Sequence, residues 1–165
     1  MNNSNAQHIV YIGLGTNLGN RKKNLAAARN ALSPQVILLE ASPIYETKPW
    51  GYSNQPDFLN QVVKTQTKLN PLDLLAYLKQ CEVSLGRIPS FKYGPRLVDM
   101  DILFFDDLIL ETPALTIPHP EIPKRAFVLA PLTDIAPDMI HPILGKSIRQ
   151  LLRKIDMDEV KKVSP

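Results

Sequence analysis

Residues 98–105, Val98-Asp99-Met100-Asp101-Ile102-Leu103-Phe104-Phe105, decide the reading of the fold. The run has strand length. Alternation places Met100, Ile102 and Phe104 on a packed face and leaves Asp99 and Asp101 side by side on the other, with β-carbons about 6–7 Å apart. Working outward toward the N-terminus, Asn70-Pro71 reads as a helix start with proline at the first helical position. Leu74, Leu78, Cys81 and Leu85 follow at helical spacing, and Gly86 stands where a helix-ending glycine belongs. Residues 58–67 alternate as a strand. Residues 36–46 read as another, interrupted by Pro43 and therefore bulged or at an edge. Asn20 is a candidate N-cap for a helix carrying Leu25, Ala28 and Leu32, stopped at Ser33-Pro34. Residues 9–14, IVYIGL, form a continuous apolar run expected as a buried central strand. The order β-α-β-β-α-β is that of an α+β, ferredoxin-like core: an antiparallel sheet with helices packed on one face.

Beyond Phe105 the pattern loosens into proline-punctuated short elements and an amphipathic helix around 146–155. The expectation is a single domain over 1–165, with the core at about 8–105 and a C-terminal extension at about 106–165. The chain of 165 residues is 44% hydrophobic with net charge +3, an ordinary globular composition. That charge is too small for non-specific nucleic-acid binding. One cysteine rules out a disulfide framework or a cysteine-based zinc cluster and fits a reducing compartment. The polar start does not read as a signal peptide and no apolar run approaches membrane-span length, so a cytoplasmic protein is expected. No long exposed apolar stripe demands a dimer, and a monomer is expected. The 15 prolines point to stiffened loops. Two of these loops, 47–57 and 87–97, are long for a compact domain and adjoin the strands, as functional loops do.

The candidate chemistry gathers around those loops. Asp99 and Asp101 are either a solvated strand face near an edge or a site for divalent cations, whose charge removes the mutual repulsion; hard oxygen ligands suit Mg²⁺. Arg87, Lys92 and Arg96 precede the pair, and Lys124-Arg125 follows it. Basic groups beside paired acids are what a polyphosphate–metal site requires, although each taken singly reads as an ordinary surface charge. Phe58 and Asn60 share a strand face, and a ring plus a planar amide is a minimal reader of a flat heteroaromatic ligand. Trp50 sits on the preceding loop, and prolines flank His119. Glu82 reads more readily as a helix-surface carboxylate than as a support for the site, and Cys81 as a small core residue. The glycines at 13, 15 and 19 lack the spacing of a dinucleotide fingerprint, and Gly145-Lys146-Ser147 lacks the rest of a phosphate-binding loop. Two other readings of the topology stand beside catalysis: an RNA-binding module, which would present strand aromatics rather than acids, and a small-molecule-binding module without catalysis.

Together these segments resemble the 6-hydroxymethyl-7,8-dihydropterin pyrophosphokinase family. The likeness rests on residues 11–19 (YIGLGTNLG), 42–47, 55–60 (QPDFLN), 82–87, Gly94-Pro95-Arg96-x-x-Asp99-x-Asp101-Ile102, and Pro118-His119-Pro120 with Arg125-x-Phe127, and it spans about residues 8–153. It implies a ferredoxin-like fold and transfer of a pyrophosphoryl group from ATP to the pterin hydroxymethyl, with release of AMP, in folate biosynthesis. It further implies that Asp99 and Asp101 bind two Mg²⁺ and that Arg87, Lys92 and Arg96 serve catalysis at the ATP phosphates. His119 and Arg125 would contact the nucleotide, with Ile102 on the adenine side. Phe58 and Phe127 would sandwich the pterin and Asn60 bond its edge, while Thr47, Lys48 and Trp50 wall the pocket and Tyr93 caps it. Lys92 stands where arginine is common, Pro120 departs from the family pattern, and the short Ile88-Pro89-Ser90 stretch leaves a second loop arginine without a counterpart.

Overall fold

The computed structural model describes residues 6–49, 51–86 and 91–163. The apolar run at the N-terminus becomes β1 (His8–Thr16), flanked by two antiparallel neighbours, β4 (Phe58–Thr67) and β5 (Asp99–Phe105). The strand expected over 36–46 is two, β2 (Val36–Ala41) and β3 (Tyr45–Thr47), which pair with successive halves of β4. The break falls at Pro43, where an edge strand tolerates a missing donor. Ser42 bridges it, since its N–H donates to Val62 O at 2.9 Å and its Oγ accepts from Val62 N at 3.0 Å. A last strand, β8 (Val160–Lys162), extends the sheet beyond β3.

Helices α1 (Arg21–Ala31) and α2 (Pro71–Ser84) start where the sequence signals them. Asn20 Oδ1 accepts from Lys23 N, and Asn70 Oδ1 from Asp73 N; Gly86 follows α2 with φ +93°. They bury Leu25, Ala28, Leu74, Leu78 and Cys81 against Val10, Ile12, Leu14, Met100 and Ile102 on one face of the sheet. The opposite face is covered by the extension. There α3 (Ala126–Ile135) and α4 (Ile148–Leu152) pack Val128, Leu129, Leu132, Ile148 and Leu151 onto Tyr11, Val62, Leu103 and Phe104. Helix α4 is shorter than the expected 146–155, and the helix with Pro131 inside it was not expected at all. An interior proline costs roughly 3 kcal/mol, and α3 offsets it by burying nearly every apolar side chain it carries. The short strands β6 (Leu110–Glu111) and β7 (Thr116–Ile117) form a hairpin between β5 and α3.

One expected packing is corrected. Phe104 does not join Met100 and Ile102. Ile12 pairs with Ile102 but the adjacent Tyr11 pairs with Phe104, so Leu103 is an extra residue on β5. This β-bulge switches the alternation, sending Leu103 and Phe104 to the α3 face and Phe105 to the α1–α2 face. Among the described residues, no helix is long and apolar enough to cross a membrane.

Candidate active site

The α3 face of the sheet is not fully covered. Near the start of β5 it opens into a cleft of about 890 Å³, its mouth included, lined by strand residues, both long loops and the segment 119–128. Its floor is β1, where Gly13 and Gly15 alternate toward the cleft. A Cβ at Gly15 would stand 3.1 Å from Asn60 Oδ1, and one at Gly13 3.5 Å from Leu103. These glycines make room rather than a nucleotide fingerprint.

Asp99 and Asp101 both face the cleft, upstream of the bulge that would otherwise have moved them. Burial first, and Asp99 second, push the Asp101 pKa up to about 7; Lys79 and Arg125 pull it down. Two acids this close in poorly solvated surroundings favour a shared proton or a bound cation. Behind them Glu82 is only 1% exposed, and its Oε2 accepts from Met100 N, between the two acids, at 2.7 Å. Lys79 Nζ is 3.4 Å from Glu82 Oε1. The expectation of a helix-surface Glu82 is therefore wrong: the carboxylate follows Cys81 on the buried side of α2 and fixes the unpaired edge of β5. A charged residue next to a buried stripe and facing an acid-bearing strand was the available signal.

On the β4 side, Phe58 and Asn60 line the cleft with Thr47 and Lys48, and Asn60 Nδ2 donates to Thr47 Oγ1 at 3.0 Å. Phe127 stands across from them, with the Arg125 guanidinium carbon 5.5 Å from its ring centroid. Tyr93, Arg96 and His119 complete the lining. Arg96 donates from Nη2 to Phe91 O at 3.1 Å. His119 Nδ1 accepts from Glu121 N at 3.1 Å, and burial, then Arg125, hold its pKa below the usual value. The neutral ring thus presents an Nε2 donor.

Two expected residues, Ile102 and Lys92, do not line the cleft. The Ile102 side chain lies in the core on the α1–α2 face, 3% exposed, because alternation turns it away from Asp101; it does not line the cleft. Lys92 is exposed, with Nζ 5.0 Å from the Tyr93 ring centroid, and is not among the lining residues. Arg87 and Trp50 lie outside the described residues.

The chain is similar to several known proteins. The family model for 7,8-dihydro-6-hydroxymethylpterin-pyrophosphokinase matches residues 11–137. The 2-amino-4-hydroxy-6-hydroxymethyldihydropteridine pyrophosphokinase of Aquifex aeolicus is 42% identical over 86% of this chain and 88% of its own length. The enzyme of that name from Pseudomonas aeruginosa is 38% identical over 93% of this chain and 96% of its own. The folic acid synthesis protein fol1 of Pneumocystis carinii is 43% identical over 99% of this chain, which spans only 22% of that relative. Among solved structures, wild-type Plasmodium falciparum HPPK-DHPS with pteroate shares the fold with a TM-score of 0.74 at 19% identity, over 90% of this chain and 44% of that one.

Proposed function

Because the chain belongs to the 7,8-dihydro-6-hydroxymethylpterin-pyrophosphokinase family, we propose that this cleft transfers the pyrophosphoryl group of ATP to the hydroxymethyl oxygen of 6-hydroxymethyl-7,8-dihydropterin. The pterin oxygen forms a bond to the β-phosphorus and loses its proton, the bond from that phosphorus to the α,β-bridging oxygen breaks, and AMP leaves with that oxygen. The observation that carries the reading is the meeting of paired acids with a planar-ligand reader in one cleft: Asp99 and Asp101 beside Phe58, Asn60 and Phe127.

The donor set fits magnesium, since two carboxylates on one strand face repel each other and offer only hard oxygens. Asp99 and Asp101 would hold two such ions, which when bound neutralise charge on the phosphate oxygens. The chain's own groups position the reactants. Phe58 and Phe127 stack on the pterin, Asn60 and Thr47 bond its edge, and Tyr93 covers it. Arg96, Arg125 and the His119 Nε2 donor bind the phosphates, and the charges of Lys92 and Arg87 serve the same end. Most of the acceleration then comes from alignment and charge neutralisation rather than acid–base work. We read the protein as a cytoplasmic monomer that acts on these two small molecules. The acid pair also argues against the RNA-binding alternative, because it would repel a phosphate backbone.

The test is a turnover assay. AMP forms from ATP only when hydroxymethyldihydropterin and Mg²⁺ are both present. AMP production independent of the pterin, or none with all components present, refutes the reading.

A further inference from the structure

Strand β3 is three residues long, yet it carries Thr47 to the cleft, and Lys48 follows it there. So short a strand takes its geometry from its neighbours. On the β4 side, Asn60 Nδ2 donates to Thr47 Oγ1 at 3.0 Å. On the other side lies β8, where Tyr45 pairs with Lys162, Glu46 with Lys161 and Thr47 with Val160, while Val163 N donates to Ile44 O at 2.8 Å. A clasp closes this ladder from α3. Tyr45 is 6% exposed and, by alternation, shares its strand face with Thr47. Its Oη donates to Asp134 Oδ2 on α3 at 2.5 Å, and Lys162 Nζ lies 3.7 Å from that same oxygen and 5.7 Å from the Tyr45 ring centroid. Burial, then Asp134, push the Tyr45 pKa well above the usual phenol range, so the ring keeps the proton it donates.

The clasp itself stands back from the cleft: Tyr45, Asp134, Lys162 and Val163 are not among the lining residues, whereas Thr47 and Lys48 are. Strand β8 is also lightly held. Val160 and Val163 are half-buried, Lys161 and Lys162 are exposed, and among the described residues β3 is its one strand neighbour. A strand of this kind opens locally while the core stays folded. We propose that β8 is a strap, clasped through Tyr45, Asp134 and Lys162, that positions Thr47 and thereby sets the affinity of the cleft for the pterin. Its members are positioning residues, acting through β3 rather than on the reacting atoms. The proposal rests on the reaction assigned above. Opening of the strap and binding of the pterin are then linked, so the factor by which opening weakens binding equals the factor by which bound pterin protects the strap.

Two measurements test this, both with Mg²⁺. In the parent protein, NMR-detected amide exchange is followed in the complex with α,β-methylene-ATP, before and after addition of 6-hydroxymethyl-7,8-dihydropterin. Exchange at the Val163 amide slows by about fivefold or more when the pterin joins. A strap with a purely structural role would not respond, because it opens without the global unfolding that a ligand suppresses. In steady state, Val163→Pro removes the donor to Ile44 O. It raises the pterin KM by about fivefold or more and leaves kcat and the ATP KM within about twofold of the parent. Tyr45→Phe keeps the ring, loses the bond to Asp134 and shifts the pterin KM in the same direction; it decides should the proline variant not fold. Val163 exchange indifferent to the pterin overturns the proposal. So does a folded variant whose pterin KM stays at the parent value, or whose kcat and ATP KM worsen equally with it. A parent that forms no AMP overturns the reaction itself and the proposal with it, whereas a parent that turns over with an unresponsive strap overturns the proposal alone.

Discussion

At the scale of single residues, Asp101 is held in a state that the fold alone does not favour. Its carboxyl is destabilised as an anion by burial and by Asp99, a cost that makes sense where a cation completes the site. Replacing either acid by the isosteric amide separates function from stability. Asp99→Asn and Asp101→Asn should each lower kcat by about 10²–10³-fold at saturating Mg²⁺, the scale of losing one key electrostatic group. In chelator, Asp101→Asn should nevertheless melt above the parent, because it removes a charge from a poorly solvated place beside another of the same sign. Steady-state kinetics and thermal denaturation of the same preparations check both outcomes. The acids were legible in the sequence because period-2 alternation suffices to pair them. Glu82 was only half legible: its spacing from Leu78 puts it beside the apolar stripe, but the N–H it satisfies belongs to an edge strand that no spacing within α2 reveals.

At the scale of elements, α2 aligns the acid strand through one buried bond, Glu82 to Met100 N. Glu82→Ala strands that N–H and should cost about 1–3 kcal/mol of stability, with a fall in kcat as β5 loses its anchor. Asn70→Ala removes the N-cap of the same helix, some distance along the chain from the site. It should cost about 1 kcal/mol and leave kcat unchanged. Urea denaturation with parallel kinetics distinguishes the two: equal kinetic effects would show that α2 acts only as a scaffold. The core elements were readable where local chemistry is strong, in the asparagine caps, the proline at the first turn of α2 and the alternation of β4. The bulge at Leu103 was not, since it exists only as a mismatch between β1 and β5. Nor was α3, whose Pro131 reads as a breaker until the sheet face supplies the compensating burial.

At the scale of the whole molecule, the extension is part of the cleft's architecture. It closes the second face of the sheet and brings His119, Arg125 and Phe127 to the cleft. His141 supports this layer: it is 4% exposed, accepts from Ile143 N and Leu144 N at 3.2 Å, and meets Phe104 edge-on at 5.6 Å. Burial holds its pKa below the usual 6.5. The unfolded chain therefore binds the proton more readily, and stability present above about pH 6.5 is lost as pH falls below that value. Urea midpoints at pH 7.5 and 5 should show this loss in the parent and a smaller one in His141→Gln, at a lower overall stability. An unchanged pH dependence would remove His141 from this role.

The central claim is where the bond breaks, and ATP labelled at its β-phosphorus tests it most directly. With the pterin and Mg²⁺ present, the label should pass wholly into the pterin ester and leave AMP unlabelled. Label recovered in ADP, or in a nucleotide product of any kind, would contradict the account.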